Sequence, residues 1–411
     1  MRGYVELLRS NRDFRLFYLS SMISLGGDWF LTVAMLDLVL ELTGSATLMS
    51  IVIVCQSLPI FLITPFAGHL IDSVDRRKLM VLTDIVRAGA ALLPLAVVST
   101  KLLPLAYFAV VVIALGAGCF QPAAGAALPN LVSDEELPRA SVLFGSLWGA
   151  MLAIGAAIGG LVSTTLGRNA SFMIDSLTFL VSALLLYRVR TRFSAPRETD
   201  HVTPPFFVSL KETVSYSFAH PRVLAFLSSK SGFGIAGGVV AMLSIFGREI
   251  FAAGAFGIGL LFSARGLGAL LGPFVVRALS PSDEAQYRTI SLCIAIFGLG
   301  YIALTFSPYL WLGFIAVLIG HMGGGGQWLT STYGLQREVP DRIRGRVMSA
   351  DFGLVTLTIS ISSIVTGLAA DAIGAQLATA IVASISLAFG TAWWWFTRGL
   401  WVAGAHPASK K

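Results

Sequence analysis

The chain has 411 residues, of which 55% are hydrophobic and only 12% are charged, whereas soluble domains carry about 25% charged residues. Its charged side chains are too few to cover a surface that faces water, so the composition excludes an ordinary soluble enzyme or binding module. A net charge of +7 is compatible with a nucleic-acid partner, but the basic residues lie between hydrophobic segments instead of forming one stripe. We therefore expect lipid, and no nucleic acid, as the partner of these charges.

Twelve apolar segments follow one another along the chain, each long enough for a membrane-spanning helix, which takes about 20 mostly apolar residues. In chain order they are 16–41, 45–71, 79–99, 102–128, 138–165, 170–188, 222–248, 255–278, 289–306, 309–335, 344–369 and 373–397. The predicted fold class is therefore all-α and integral to the membrane, with twelve transmembrane helices.

The connection between the sixth and seventh segments is long, polar and contains prolines. We interpret this stretch, residues 190–221, as a cytoplasmic linker between an N-terminal six-helix bundle, 1–189, and a C-terminal six-helix bundle, 222–411. Leu-Ser-Ser at 19–21 recurs at 227–229, and Ala-Met-Leu at 34–36 recurs at 241–243. Both matches are separated by about 207 residues, near half the chain length, which indicates an internal duplication and two pseudo-symmetric bundles.

Lysine and arginine predict the orientation, because these residues collect in cytoplasmic loops. With the N-terminus inside, the outer loops hold only Lys101, Arg168 and Arg248 of the 29 basic residues. Apart from a few inside the spans, the others lie in inner loops and termini. We expect both termini in the cytoplasm.

Two carboxylates lie well inside the first span, and a third, Glu41, is its last residue. Asp28 is about 12 residues into it, roughly 18 Å deep at 1.5 Å per residue, where a charge needs a partner, a wet cavity or a function. Asp28 is either a proton carrier, since burial favours the neutral acid, or a structural carboxylate paired with Arg265 or Lys230. Asp37 lies nearer the outside and is a candidate proton relay. Arg265 and Lys230 sit inside the eighth and seventh spans, respectively, and are candidates for the same cavity.

Acidic and basic residues are interleaved in two inner loops. They are Gly68, Asp72, Arg76 and Arg77 after the second span, and Asp341, Arg344 and Arg346 before the eleventh. Gly68 permits close helix contact, while Asp72 can pair with arginines or cap a facing helix. We interpret the two loops as a cytoplasmic gate, a charge latch whose contacts depend on the conformational state. Positive-inside topology alone is the alternative.

Three further charged residues lie near the inner ends of their spans. Asp84 and Arg87 are three residues apart in the third span and are expected to form a pair that braces the gate. Asp351, in the eleventh span, is expected either to close the gate or to be solvated.

Four uncharged or weakly basic polar side chains lie inside other spans. They are Gln56, Gln121, His321 and Gln327. We consider them candidates for a substrate cavity, and hydrogen bonds between helices are the alternative interpretation.

Several function classes lack their required motifs. No lysine follows a glycine, so the chain has no phosphate-binding loop and is not predicted to be an ATP-driven pump. Cys55, Cys119 and Cys293 each lie in an apolar segment without metal-ligand spacing. We therefore expect no metal site, no cofactor and no enzymatic activity.

The chain resembles the major facilitator superfamily along nearly its whole length, because that superfamily also has two six-helix repeats and an inner-loop motif of glycine, aspartate and basic residues. It is also similar to the bacterial macrolide and enterobactin exporter branch. The similar motifs are Gly27-Asp28, Asp84 with Arg87, Pro129-Asn130-Leu131-Val132, Asp175 to Phe179, and Arg344-Gly345-Arg346. The resemblance implies a cavity lined by spans one, four, seven and ten, and transport by alternating access.

The predicted function is secondary active transport, namely proton-coupled export of a small amphipathic organic compound that is drug-like or siderophore-like. The alternatives are a carrier or flippase of a lipid-like solute and a metal-ion exporter, both without proton coupling. We expect a monomer in the bacterial cytoplasmic membrane.

Overall fold

Long helices make up nearly all of the computed structural model, which describes residues 2–193, 206–279 and 283–401, and no strand occurs in these ranges. The α-helices are α1 (Arg2–Ser10), α2 (Arg12–Thr43), α3 (Ala46–Ser73), α4 (Arg76–Ala90), α5 (Leu103–Ala127), α6 (Leu137–Thr165), α7 (Arg168–Tyr187), α8 (Phe206–Ala219), α9 (Pro221–Ile235), α10 (Val239–Ile245), α11 (Gly254–Leu279), α12 (Asp283–Thr305), α13 (Leu310–Glu338), α14 (Asp341–Ile373) and α15 (Ala375–Thr397). A π-helical turn, Phe246–Ile250, continues α10.

Eleven helical stretches of the described chain are long and apolar enough to cross a membrane. The helix α13 is not among them although it has 29 residues, because His321 and the glycines at 323–326 lower the hydropathy of its middle. It occupies the position of the predicted tenth span and is the twelfth long helix. The predicted all-α membrane fold class is confirmed.

Local signals in the sequence account for the helix ends in the first part of the chain. Asn11 caps α2 by accepting a hydrogen bond from the backbone N–H of Phe14, and α2 ends at Gly44, whose φ of 60° glycine adopts without strain. Asp75 caps α4 by accepting a hydrogen bond from the N–H of Lys78. The caps therefore fix where α2 begins and ends and where α4 begins.

The described residues fall into two compact units. The first contains Met1–Val202 together with Leu243–Gly266, and the second contains Thr203–Met242 together with Leu267–Lys411, in each case without the undescribed positions. The predicted boundaries at 189 and 222 stay a prediction.

Small residues bring α2 close to its neighbours in the first unit, where it packs against both α6 and α7. A Cβ atom on Gly155 would lie 2.7 Å from the carbonyl oxygen of Gly26, and one on Gly159 would lie 2.9 Å from the Cα of Phe30. Glycines four residues apart let helix backbones approach closely within a bilayer. In the second unit α12 packs against α13 and α15, and α9 packs against α13 and α14.

The predicted orientation has a direct test in single cysteines, placed in a variant whose three native cysteines are replaced by alanine. Lys101→Cys is expected to react with an impermeant maleimide added outside intact cells, because Lys101 is exposed in a predicted outer loop. Glu135→Cys, also exposed, is expected to react only after the membrane is opened, because its loop is predicted to be cytoplasmic. Labelling of both cysteines from the same side would contradict the twelve-span topology.

Candidate functional site

Arg87 on α4 is a fully buried arginine that binds several acceptors. Its Nη2 donates to both carboxylate oxygens of Asp28 on α2, at 2.7 and 2.8 Å. Its Nη1 donates to Asp84 Oδ1 at 3.2 Å and to Ser24 Oγ at 3.1 Å. Only 2% of the Arg87 side chain is exposed. The guanidinium is therefore held between α2 and α4 by charge-assisted hydrogen bonds.

A third carboxylate, Asp175 on α7, approaches the same place. Asp175 is fully buried, and a Cβ atom on Gly27 would lie 2.6 Å from its Oδ1. The hydroxyl of Thr178 lies 3.4 Å from Oδ1, and Oδ2 has no hydrogen-bond partner among the described groups. Because Gly27 has no side chain, Asp175 sits directly on the backbone of α2, one residue from Asp28.

Aromatic rings and a glycine also surround the Arg87 side chain. Its guanidinium carbon lies 4.0 Å from the ring centroid of Phe179 and 5.8 Å from that of Phe120. A Cβ atom on Gly116 would lie 2.7 Å from Arg87 Cδ, so glycine is needed where the side chain passes α5. We call Arg87, Asp28, Asp84 and Asp175 the Arg87 cluster: one guanidinium and three carboxylates inside predicted spans.

A second buried ion pair lies in the second unit. Lys230 on α9 pairs with Asp351 on α14, and both side chains are at most 3% exposed. The ammonium also donates to Thr332 Oγ1 at 3.0 Å and lies 4.5 Å from the ring centroid of Trp328. This pair is balanced, with one positive and one negative charge.

Four charged side chains meet at the C-terminal end of α2. Arg168 donates to Glu41 at 2.7 Å, and Arg248 donates to the other oxygen of Glu41 at 3.0 Å. Arg248 also pairs with Asp37, and Arg168 Nη1 lies 3.9 Å from Asp37 Oδ2. All four belong to the first unit. Two arginines balance two carboxylates here.

Arg265 on α11 lies among aromatic rings of the first unit. Its guanidinium carbon is 5.6 Å from the ring centroid of Trp148 and 5.8 Å from those of Trp29 and Phe262. Trp148 is 47% exposed, and Arg265 is half-buried. Electron-rich ring faces stabilise a cation at such distances.

The structure changes the predicted partners of the buried charges. The expected pairing of Asp28 with Arg265 or Lys230 is wrong, because α4 presents Arg87 to Asp28 and α14 presents Asp351 to Lys230. The expected Asp84–Arg87 pair is present. A solvated Asp351 is also wrong, since its side chain is 2% exposed.

Asp175 is the member of the Arg87 cluster whose place sequence reasoning missed. The sequence singles it out only as part of the motif Asp175 to Phe179, near the outer end of the sixth span. The signal in the sequence was Gly27, directly before Asp28. Because glycine has no side chain, a neighbouring helix that carries a polar residue can pack closely at this position.

The predicted gate is described only in part. The surroundings of Gly68 and the side chains of Asp72 and Asp341 lie outside the described part of the structure. Arg76 donates to the carbonyl oxygens of Ala126 at 2.8 Å and Phe193 at 3.3 Å. Arg77 donates to that of Val189 at 2.6 Å.

On the other inner loop, Arg344 donates to the carbonyl oxygen of Val339 at 3.1 Å, and Arg346 donates to Glu212 at 2.5 Å. Arg76, Arg77, Arg344 and Arg346 each contact residues of their own unit, and the latch itself stays a prediction.

Two of the four polar cavity candidates form hydrogen bonds between helices. Gln56 donates to Thr32 Oγ1 at 2.8 Å, and Gln327 donates to the carbonyl oxygen of Ser229 at 2.5 Å. His321 is buried, with its ring 5.2 Å from that of Phe297 and 5.6 Å from that of Tyr301. Gln121 is partly exposed.

The Lys230–Asp351 pair allows a stability test. Lys230→Met and Asp351→Leu are each expected to lower the free energy of unfolding by about 3–5 kcal/mol, because each strands a buried charge. The double variant is expected to recover most of the loss, since it removes both charges.

The measurement is unfolding of the purified protein in mixed micelles by titration with sodium dodecyl sulfate. Thr332→Val is the control, with an expected smaller loss of about 1.5–3 kcal/mol, because it removes one hydrogen bond to the charged ammonium and leaves the ion pair in place. Additive losses in the double variant would show that the two charges do not stabilise each other.

Comparison with known proteins gives the family. The model of a family described as "Transmembrane secretion effector" matches residues 8–399. The chain is 26% identical to the putative bacilysin exporter BacE of Bacillus subtilis, over 76% of this chain and 77% of that protein. It is 24% identical to macrolide efflux protein A of Streptococcus pyogenes, over 86% and 88%, and 24% identical to the multidrug efflux pump Tap of Mycolicibacterium fortuitum, over 85% and 87%.

The fold matches solved transporter structures. A POT family transporter in complex with 5-aminolevulinic acid superposes with a TM-score of 0.79 at 13% identity, covering 95% of this chain and 97% of that one. The nucleoside transporter NupG superposes with a TM-score of 0.70 at 12% identity, covering 96% and 98%. The relatives are transporters and not enzymes, and the resemblance to the exporter branch is confirmed. The chain belongs to the transmembrane secretion effector family of the major facilitator superfamily.

Proposed function

We propose that this transporter exports a small amphipathic organic compound by alternating access and couples that export to protons moving inward. Its family and its relatives are efflux transporters, which supports export of a compound across a membrane. The proton and the chemistry of the substrate are our proposal. We place the protein, as a monomer, in the bacterial cytoplasmic membrane with both termini in the cytoplasm.

The observation that carries proton coupling is the unequal charge of the Arg87 cluster. One guanidinium faces three carboxylates, and Arg87, Asp84 and Asp175 are at most 2% exposed. A single charge at the membrane centre costs about 2.5–3.5 kcal/mol on insertion scales. If all three acids were ionised, the negative charge would exceed the positive charge by two. Binding a proton removes part of this excess, so the closed cluster favours protonation.

Alternating access supplies the step that releases the proton. When the transporter opens the cluster to one side of the membrane, water solvates the carboxylates. Ionising them then costs less free energy. A group that binds a proton more tightly in one conformation also favours that conformation when the proton is bound. The proton gradient can then drive the conformational cycle.

The aromatic surroundings of Arg265 support an amphipathic organic substrate. Trp29, Trp148 and Phe262 provide apolar ring faces beside a guanidinium, and such combinations bind molecules that are partly apolar and partly polar. Trp29 follows Asp28 directly in α2. A substrate that contacts Trp29 would therefore touch the helix that carries one acid of the Arg87 cluster.

Transport into proteoliposomes tests the coupling. With an acidic lumen, the wild type is expected to accumulate radiolabelled erythromycin, because protons leaving the lumen drive the substrate inward in molecules of the appropriate orientation. Asp28→Asn is expected to reduce this accumulation strongly, since it removes the carboxylate that Arg87 binds. Quenching of tryptophan fluorescence by erythromycin is expected to persist in the variant.

Glu135→Gln is the matched control, because Glu135 is an exposed carboxylate outside the spans. Two further probes distinguish the alternatives, a lysophosphatidylcholine for a lipid-like solute and Zn²⁺ for a metal ion. Accumulation of either probe without a pH gradient, in place of gradient-driven erythromycin uptake, would overturn the proposal.

A further inference from the structure

We infer that Asp175 is the residue of the Arg87 cluster that holds the proton, while Asp28 stays ionised as the partner of Arg87. This inference rests on the proposed proton coupling and names the group responsible for it. It replaces Asp28, the more obvious candidate from the sequence, with a carboxylate on another helix.

The contacts of Asp28 indicate an ionised carboxylate. Both of its oxygens accept hydrogen bonds from Arg87 Nη2, at 2.7 and 2.8 Å. Its side chain is also 24% exposed. Short bonds from a guanidinium to both oxygens stabilise the anion, and protonation of Asp28 would weaken them.

Asp84 has one contact of the same kind. Its Oδ1 accepts a hydrogen bond from Arg87 Nη1 at 3.2 Å, and its side chain is fully buried. Asp84 therefore shares the guanidinium with Asp28. Asp28 and Asp84 alone therefore place two carboxylates against the single positive charge of Arg87.

Asp175 has the poorest support for a negative charge. Within the described part of the chain it forms no ion pair, its Oδ2 has no hydrogen-bond partner, and its Oδ1 receives only the 3.4 Å contact from the Thr178 hydroxyl. The side chain is fully buried. An unpaired carboxylate in such a place is far more costly than the neutral acid.

Among the described residues, the helices around Asp175 bring no cation other than Arg87 towards it. The charged groups that face it are Asp28 from α2 and Asp84 and Arg87 from α4. The helix α6 also packs against α7, but its only titratable residue is Arg139, in its first turn. Two of the three charged neighbours of Asp175 are negative, which also favours its neutral form.

Arg87 links the state of Asp175 to the position of α2. While Asp175 is neutral, the guanidinium binds Asp28 as the structure shows. When Asp175 loses its proton, it becomes a third anion that competes for Arg87. Because Asp175 lies against Gly27, a shift of Arg87 towards α7 loosens the bond to Asp28 and changes the contact between α2 and α7. Trp29 lies on the same helix, two residues from Gly27.

Infrared difference spectroscopy of the purified protein between acidic and alkaline pH tests the inference without transport. The wild type is expected to show the carbonyl band of a protonated carboxylic acid, lost on alkalinisation, and Asp175→Asn is expected to abolish it. Asp28→Asn is expected to show the band as well, but the band should disappear at a lower pH than in the wild type. The reason is that Arg87, released from Asp28, then stabilises ionised Asp175. Asp84→Asn is expected to show the band too, and the pH at which the band disappears should again be lower than in the wild type. Absence of the band in the wild type, or its survival in Asp175→Asn, would overturn the inference.

The proteoliposome assay provides a second readout. Asp175→Asn is expected to bind erythromycin but to accumulate none at any lumen pH, whereas Asp28→Asn recovers accumulation in a more acidic lumen. Asp175→Glu is expected to restore part of the coupling, and its elution as a single monodisperse peak controls for folding. If the wild type responds to the gradient and Asp175→Asn responds equally, Asp175 is not the proton site although the coupling stands. If the wild type does not respond, the proposed coupling fails, while the infrared band still shows which acid is protonated.

Discussion

Removing a charge from water costs free energy, and this cost constrains which side chains meet in the interior of this protein. Ionisable side chains inside the spans are expensive, and Arg87, Lys230 and Arg265 lie beside opposite charges or aromatic rings. The pairs Arg87–Asp28 and Lys230–Asp351 each join residues from different helices. Packing follows this requirement, because Gly27 and Gly116 leave the space that Asp175 and Arg87 occupy. The helices must therefore pack closely where their buried charges are to meet.

The charged groups of the described chain are not balanced equally. Lys230 and Asp351 form a one-to-one pair, and two arginines match two carboxylates at the end of α2. A balanced pair resists a change of protonation, because adding or removing a proton leaves a charge without its partner. The Arg87 cluster has surplus acid, so its proton content can change at lower cost. In the proposed mechanism, this difference separates the ion pairs that stabilise the fold from the cluster that couples transport to protons.

Much of the fold and little of the site were predictable from the sequence. Apolar runs of about 20 residues set the spans. The α-helix of the third predicted span ends at Ala90 instead of 99, and the seventh predicted span is divided between α9 and α10. Most other helix ends agree within a few residues because caps such as Asn11 and Gly44 are local signals. The Asp84–Arg87 pair was predictable for the same reason, since helix geometry brings residues three apart together. The partner of Asp28 was not, because the sequence gives the direction of a side chain around its own helix but not the helix that lies there. Asp28 and Arg87 are 59 positions apart, and Lys230 and Asp351 are 121 apart.

The charges at the end of α2 have a consequence for the history of the chain. The separation of about 207 residues that relates the repeated motifs also relates Glu41 to Arg248, which bond to each other at 3.0 Å. Two identical copies of one ancestral segment would carry the same residue at both positions, and like charges would then meet where this bond now forms. If the two halves arose from one duplicated segment, the bond formed only after the two copies had diverged. It also makes the two copies non-interchangeable: a chimera with two first halves would place a glutamate against a glutamate.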